Sequence, residues 1–172
     1  MAKICLTKEE IKELAKLITE VFEYLKLLRQ KNRLAEKIQF PKIPAIFSES
    51  IIMHLINDSK ILSELRIISQ AKFGGKKGDI LISTSGDELR LEVKATAKSA
   101  FEYFGEKDIS ANYLVWIHFG DYFTTRSGGL IDVYLINEPS RYFDKPVKIT
   151  LNKLKEKVGN KLQITKVDLK KL

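Results

Sequence analysis

Hydrophobic residues recur at helical spacing near the start of the chain. The apolar positions that follow one another at alternating intervals of three and four are Ile11, Leu14, Ile18, Val21, Leu25 and Leu28. Thr7 and Glu10 precede them at the spacing of a capping box, a common start of a helix. The pattern predicts an amphipathic helix from Thr7 to about Glu36. Its broad apolar stripe fits packing on the body of the protein or against a second copy of the chain.

A second helical region is expected after two prolines. Pro41 and Pro44 end the first helix and predict an extended linker. Ser48 is then expected to cap a short helix from Glu49 to about Asn57, with Glu49 in its first turn. An acidic residue in a first turn interacts favourably with the helix dipole, which is one interpretation of Glu49.

An alternating pattern in the middle of the chain predicts a β-hairpin. Apolar and polar residues alternate from Leu89 to Thr96, which indicates a strand with one buried face. A shorter strand from Asp79 to Ser83 precedes it, and Ser85-Gly86 is a turn signal between the two. If these two residues form the loop, Asp79 lies directly opposite Glu92. Lys94 then shares the face of Glu92.

The flanking patterns predict an α/β fold. Residues 65–73 fit a first strand, although a helix could instead continue through 59–68, because periodicity does not distinguish the two. A helix is expected from Ala97 to about Phe104. The second half of the chain predicts strands at 113–119, 130–136 and 162–167, with a helix from Leu151 to Val158. We therefore expect one domain, with a helical segment at 1–38 and an α/β core at 41–172.

Composition narrows the class of protein. The chain has 172 residues and a net charge of +8, which favours acidic partners such as nucleic acid. Its apolar runs fall well short of the roughly 20 residues of a spanning helix, so we expect no membrane segment. Cys5 is the single cysteine, which excludes an internal disulfide and favours a cytoplasmic location. Two histidines and one cysteine argue against a zinc site.

The opposed carboxylates are the clearest chemical signal. Directly opposed residues of a hairpin have Cβ atoms about 4.5–5.5 Å apart, so Asp79 and Glu92 repel each other unless a cation lies between them. Two carboxylates suit Mg²⁺, which completes its coordination with water and phosphate oxygens. Lys94 would lie beside the metal, where it can hold an attacking water. Alternatively, Glu92 and Lys94 simply keep an exposed hairpin face soluble.

This arrangement resembles the PD-(D/E)XK nuclease superfamily. The resemblance rests on Asp79, twelve intervening residues and then Glu92-Val93-Lys94, in a strand-turn-strand context. Gly78 stands where relatives often carry proline. The resemblance implies a restriction-endonuclease-like core, a central mixed sheet flanked by helices. It also implies Mg²⁺, for which Mn²⁺ can substitute, bound by Asp79, Glu92 and the Val93 carbonyl.

The resemblance further implies roles for residues around the hairpin. Lys94 would orient or help to deprotonate the attacking water. Many relatives carry an acidic residue on a helix before the hairpin, and Glu49 would correspond to it, as an additional metal ligand or a group behind the ligands.

The substrate implied by the resemblance is double-stranded DNA, cleaved by an endonuclease similar to the type II restriction enzymes. Cutting both strands implies a homodimer, with the N-terminal helix as a candidate contact. The candidate contacts with DNA phosphates are Lys72, Lys76, Lys77, Lys98 and Arg126. Two other functions remain open: a structure-specific nuclease, such as a junction resolvase or repair enzyme, and a DNA-binding protein without catalytic activity.

Overall fold

A computed structural model describes residues 3–125 and 129–172 of the chain, which form a mixed α/β structure. The strands are β1 (Lys72–Phe73), β2 (Ile80–Ser83), β3 (Glu88–Thr96), β4 (Phe101–Phe104), β5 (Tyr113–His118), β6 (Leu130–Asn137), β7 (Val147–Thr150) and β8 (Gln163–Asp168). The helices are α1 (Lys8–Lys31), α2 (Ala45–Asn57), α3 (Glu106–Ile109) and α4 (Leu151–Val158).

A mixed central sheet organises the molecule. Its six strands follow the order β1-β2-β3-β5-β6-β8, and β4 and β7 form a separate two-stranded sheet. The β3 and β5 strands run parallel, whereas the other neighbouring pairs of the central sheet are antiparallel. Because β5 lies inside the sheet and is covered on both faces, its sequence is almost continuously apolar. The predicted α/β class with a mixed sheet and a long N-terminal helix is confirmed.

Two hydrophobic cores cover the two faces of the sheet. On one face, α2 packs on β3 and α1 packs on α2, and Phe22 and Phe47 belong to the same buried cluster. On the other face, the β4–β7 ribbon and α4 bury Phe104 and Leu154 against Trp116. Alternate residues of β3 and β5 therefore serve different cores, and the polar residues of β3 lie on the face of Trp116.

The ends of the first two helices differ from the predictions. The first helix ends at Lys31, not near Glu36, because the Asn32 side chain accepts a hydrogen bond from the Leu34 amide and starts a 3-10 turn. The second helix begins at Ala45 after Pro44, whose fixed φ suits a helix start. Ser48 is therefore not a cap, and Glu49 lies beyond the first turn. The helix-dipole interpretation of Glu49 is wrong.

The helix predicted from Ala97 to Phe104 is also wrong. Residues Phe101–Phe104 form β4, whose antiparallel partner is β7 (Phe104 pairs with Val147). This partner lies more than forty residues later in the chain, so local periodicity could not reveal the pairing. The strand expected at 65–73 is reduced to a bridge between Ile67 and Thr84 and the short β1, and the alternative helix through 59–68 does not form.

The outer face of α1 remains apolar and exposed. Leu17, Val21, Tyr24 and Leu27 each keep about half or more of their surface accessible. Within the described ranges, no helix combines the length and apolarity needed to cross a membrane. The exposed apolar residues of α1 alternate with charged ones, so this face is a stripe and not a continuous apolar surface.

Candidate active site

The hairpin of β2 and β3 has the predicted register. Ile80 pairs with Leu91 and Ser83 with Glu88, and the Thr84 amide donates to the Asp87 carbonyl across the turn. Continuing this register by one residue beyond β2 places Asp79 opposite Glu92. Two carboxylates thus face each other where β2 begins.

Asp79 is held against the backbone of β3. Its Oδ2 accepts a hydrogen bond of 2.9 Å from the Val93 amide. In an antiparallel pair the amide and carbonyl of one residue point to the same neighbouring strand. The Val93 carbonyl therefore points toward β2, as the Val93 amide does. Beyond this point β3 continues past the start of β2 to Thr96.

A tight loop positions Asp79. The Gly74 amide donates to the Asp79 carbonyl at 3.1 Å. A Cβ at Gly74 would lie 2.5 Å from the Gly78 carbonyl oxygen, so only glycine fits this approach. A Cβ at Gly78 would lie 3.4 Å from Glu92 Oε1, which places Gly78 in direct proximity to the second carboxylate.

Lys107, which sequence analysis did not identify, bridges the two carboxylates. Its Nζ lies 2.9 Å from Glu92 Oε2 and 3.4 Å from Asp79 Oδ1. Lys107 belongs to α3, which lies between β4 and β5 in the chain. A cation therefore occupies the space between Asp79 and Glu92, as their mutual repulsion requires.

The next residue of α3 binds the predicted catalytic lysine. Asp108 Oδ2 lies 2.9 Å from Lys94 Nζ and also accepts a hydrogen bond of 2.7 Å from the Gly105 amide. Asp108 is buried, whereas Lys94 is about one quarter exposed. Lys107 thus binds the carboxylates of the hairpin, and Asp108 binds its lysine. The sequence did not reveal either residue, because their partners are distant in sequence.

Burial dominates the electrostatics of Glu92. Its side chain is 3% exposed, and this burial raises the pKa of Glu92 from 4.5 to about 7. The hydrogen bond from Lys107 lowers this pKa, whereas the charge of Asp79 raises it further. Burial lowers the pKa of Lys107. Its contacts with Glu92 and Asp79 act the other way and outweigh burial, so the pKa of the ammonium group is raised.

Glu49 lies near the site but has its own partner. Lys3 Nζ is 2.6 Å and 2.5 Å from the two oxygens of Glu49, which is buried on α2. Burial raises the pKa of Glu49, the Lys3 hydrogen bond lowers it, and the charges of Asp79 and Lys107 also act on it. Glu49 is therefore within electrostatic reach of the carboxylate pair.

The donor set fits a magnesium ion. Asp79 and Glu92 supply two carboxylates that already share one cation, and the Val93 carbonyl is directed to the same side. Among the described residues, no group of three or more His, Cys, Asp or Glu side chains is placed to hold a metal. Two carboxylates are sufficient for Mg²⁺, which keeps several waters and binds substrate phosphates. A depression of about 340 Å³ lies beside Asp79 and is lined by Lys3, Phe73 and the glycines of the preceding loop.

The candidate DNA-binding lysines lie outside this cluster. Lys72 and Lys77 contact Glu88 at 3.3 and 3.4 Å, about 13 Å along β3 from Glu92 at the usual rise of a strand. Lys76 is exposed on the preceding loop. Lys98 lies 3.5 Å from Asp121 and borders a groove of about 480 Å³. Arg126 lies outside the described residues.

No family model, curated protein or solved structure matches this chain.

Proposed function

We propose that the protein is a Mg²⁺-dependent endodeoxyribonuclease of the PD-(D/E)XK type that hydrolyses phosphodiester bonds of double-stranded DNA. Its expected behaviour is that of a type II restriction endonuclease. The observation that supports this function is the hairpin register, which opposes Asp79 and Glu92 across a shared cation and keeps Lys94 two residues along the same face. A hairpin that served stability alone would gain nothing from burying Glu92 opposite a second carboxylate.

In this proposal each residue of the cluster has a distinct role. Asp79, Glu92 and the Val93 carbonyl hold the metal, which when bound stabilises charge on the scissile phosphate and acidifies water. Lys94 donates a hydrogen bond to the attacking water and orients it toward phosphorus. Asp108 fixes the Lys94 ammonium on the reacting side. Glu49 supports the cluster through its negative charge, as a group behind the ligands.

The order of elements also supports the proposal. A helix (α2) precedes the three strands β1, β2 and β3, and β5 returns parallel to β3. This order agrees with the restriction-endonuclease-like core that the family resemblance implies. The segment between β3 and β5 departs from a long crossover helix, since its helical part is only the four-residue α3.

The proposed partner is double-stranded DNA, and the proposed assembly is a homodimer. The net charge of +8 favours a polyanion. In the part of the chain that the structure describes there is one carboxylate pair of this kind, so we expect two chains to cut both strands. The exposed stripe of Leu17, Val21 and Tyr24 on α1 is the surface that we assign to this contact.

The proposed function is tested by incubating purified protein with supercoiled and linear DNA in Mg²⁺ or EDTA. We expect Mg²⁺-dependent cleavage that is lost in Asp79→Ala and in Lys94→Ala, because one removes a metal ligand and the other the group that orients water. Asp144→Ala and Lys148→Ala are the matched controls, since both residues are exposed and neither belongs to the cluster.

Each outcome of this test has a clear meaning. Discrete fragments that disappear in both variants support a sequence-specific endonuclease. Intact duplex together with cleaved four-way junctions would replace it by a structure-specific nuclease with the same catalytic residues. Salt-dependent binding with every DNA substrate intact would assign a DNA-binding protein without catalytic activity.

A further inference from the structure

Lys107 occupies the position between the carboxylates that the proposed metal requires. Its Nζ contacts Glu92 Oε2 at 2.9 Å and Asp79 Oδ1 at 3.4 Å. These oxygens belong to the two side chains that would bind Mg²⁺. An ammonium group and a metal ion cannot share this space, because each needs the same lone pairs and both carry positive charge.

The metal-free protein needs a cation at this position. Glu92 is buried and faces Asp79, and an uncompensated pair of carboxylates in such a place is strongly unfavourable. Lys94, the other lysine of the cluster, is bound to Asp108 at 2.9 Å. Among the described residues, Lys107 is the cation whose ammonium contacts both Asp79 and Glu92.

The fold allows Lys107 to leave without a change of backbone. Phe104 and Ile109, on either side of Lys107 in sequence, are both buried in the second core and anchor α3. The Lys107 side chain is itself about half exposed. A flexible side chain on a fixed helix can rotate into solvent while the position of Asp108 is retained.

We propose that Lys107 is an internal counterion that holds the Asp79–Glu92 pair together in the metal-free protein and that a divalent metal must displace to bind. This inference rests on the proposed function for the identity of the metal. It gives Lys107 the role of a positioning residue, which keeps both ligands in place at the cost of lower metal affinity. Metal binding then becomes an exchange of one cation for another.

The test compares Mn²⁺ affinity of the wild-type protein and Lys107→Met, with free Mn²⁺ followed by electron paramagnetic resonance. Removing the competing ammonium is expected to tighten Mn²⁺ binding about tenfold or more. Lys166→Met is the matched control, since Lys166 forms a 2.8 Å ion pair with Asp132 on the same sheet, away from the cluster. Its Mn²⁺ affinity is expected to equal that of the wild type.

Equal Mn²⁺ affinity of the wild-type protein and Lys107→Met would overturn the exchange while the proposed function stands. Tight binding by Lys107→Met with none by the wild type would support the exchange in its strongest form. Absence of Mn²⁺ binding in both proteins would overturn the metal-dependent function and the exchange together.

A second variant separates competition from instability. Lys107→Met/Glu92→Gln removes both the cation and the buried carboxylate charge, so it is expected to fold in EDTA and to lose the gain in Mn²⁺ affinity. If the single variant unfolds in EDTA, Mn²⁺ is expected to restore its circular dichroism spectrum. Failure of Mn²⁺ to restore it, while the double variant is folded, would overturn the proposal.

Discussion

Glu92 is a buried carboxyl group whose ionisation the fold opposes. Burial raises its pKa to about 7, and Asp79 acts in the same direction. The Lys107 ammonium, 2.9 Å from Glu92 Oε2, opposes this shift and favours the carboxylate. A group poised in this range responds to its neighbours, because a cation nearby favours the carboxylate and loss of that cation favours the acid.

The raised pKa of Glu92 predicts how stability depends on pH in EDTA. Between about pH 4.5 and pH 7 the folded protein retains a proton that the unfolded chain has released. The contribution of Glu92 to the free energy of unfolding is therefore present below this window and is lost as pH rises through it. We expect a loss of about 1 to 3 kcal/mol, measured by urea denaturation at several pH values.

Glu92→Gln is the reference for this measurement, because it keeps the shape of the side chain and does not titrate. Two other groups also have shifted pKa values: burial lowers the pKa of His118 and raises that of Glu49. The difference between the wild type and Glu92→Gln isolates Glu92. Parallel stability curves for the two proteins would contradict the assignment.

At the level of elements, α3 joins two parts of the site. It is too short to be stable alone, so its position depends on buried neighbours and on its contacts with the hairpin. Asp108 connects α3 to the hairpin. It accepts a hydrogen bond from the Gly105 amide at the start of α3, and it forms an ion pair with Lys94.

Substitution of Asp108 is expected to lower both stability and cleavage. Asp108→Ala removes both contacts and should cost about 1 to 3 kcal/mol of unfolding free energy. Asp108→Asn keeps an acceptor for the Gly105 amide but loses the charge that holds Lys94. We therefore expect a smaller loss of stability in Asp108→Asn, but about a 10- to 100-fold slower cleavage in both variants.

Metal affinity separates this positioning role from a role in metal binding. Asp79 and Glu92 are untouched in both Asp108 variants, so their Mn²⁺ affinity should match that of the wild type. Cleavage at the wild-type rate by Asp108→Asn would show that Lys94 does not depend on Asp108.

The sequence predicted those elements whose determinants are local. The hairpin register followed from Ser85-Gly86 and the alternation after it, since a short turn fixes the pairing of both strands. The β4–β7 ribbon depends on contacts between distant segments, and it was missed. The same reason explains which site residues were predicted. Asp79, Glu92 and Lys94 lie on one hairpin and were identified. Lys107 and Asp108 reach the hairpin only through tertiary packing and were not.

On the scale of the whole molecule, α1 covers one core with one face and leaves an apolar stripe on the other. The fold class was predictable because the buried β5 and the amphipathic α1 have distinct patterns. The partner of the exposed stripe could not be predicted, because periodicity identifies an apolar face but not the surface that covers it. We assign this stripe to the proposed homodimer.

A charge in the stripe is expected to disrupt that dimer. Val21→Glu places a carboxylate at the centre of the exposed apolar residues. Light scattering after size exclusion should give twice the 19.7 kDa chain mass for the wild type and the chain mass for Val21→Glu. Lys148→Glu, an exposed site on β7, is the control and should remain dimeric.

Loss of the dimer is expected to separate the cutting of one DNA strand from the cutting of both. A monomeric Val21→Glu protein should nick one strand of supercoiled DNA and no longer produce linear molecules in one encounter. A wild-type protein that is already monomeric in this measurement would contradict the assignment of the stripe.

Trp116 can serve as a fluorescent reporter of the proposed catalytic face. It is the single tryptophan of the chain, it is fully buried, and it neighbours Lys94 in the register of β3 and β5. Its indole N–H donates to the Thr96 hydroxyl at 2.8 Å, which fixes the ring beneath β3. The tryptophan emission of this protein therefore comes from one side chain beside the proposed site. Its emission can report events at the hairpin without any label.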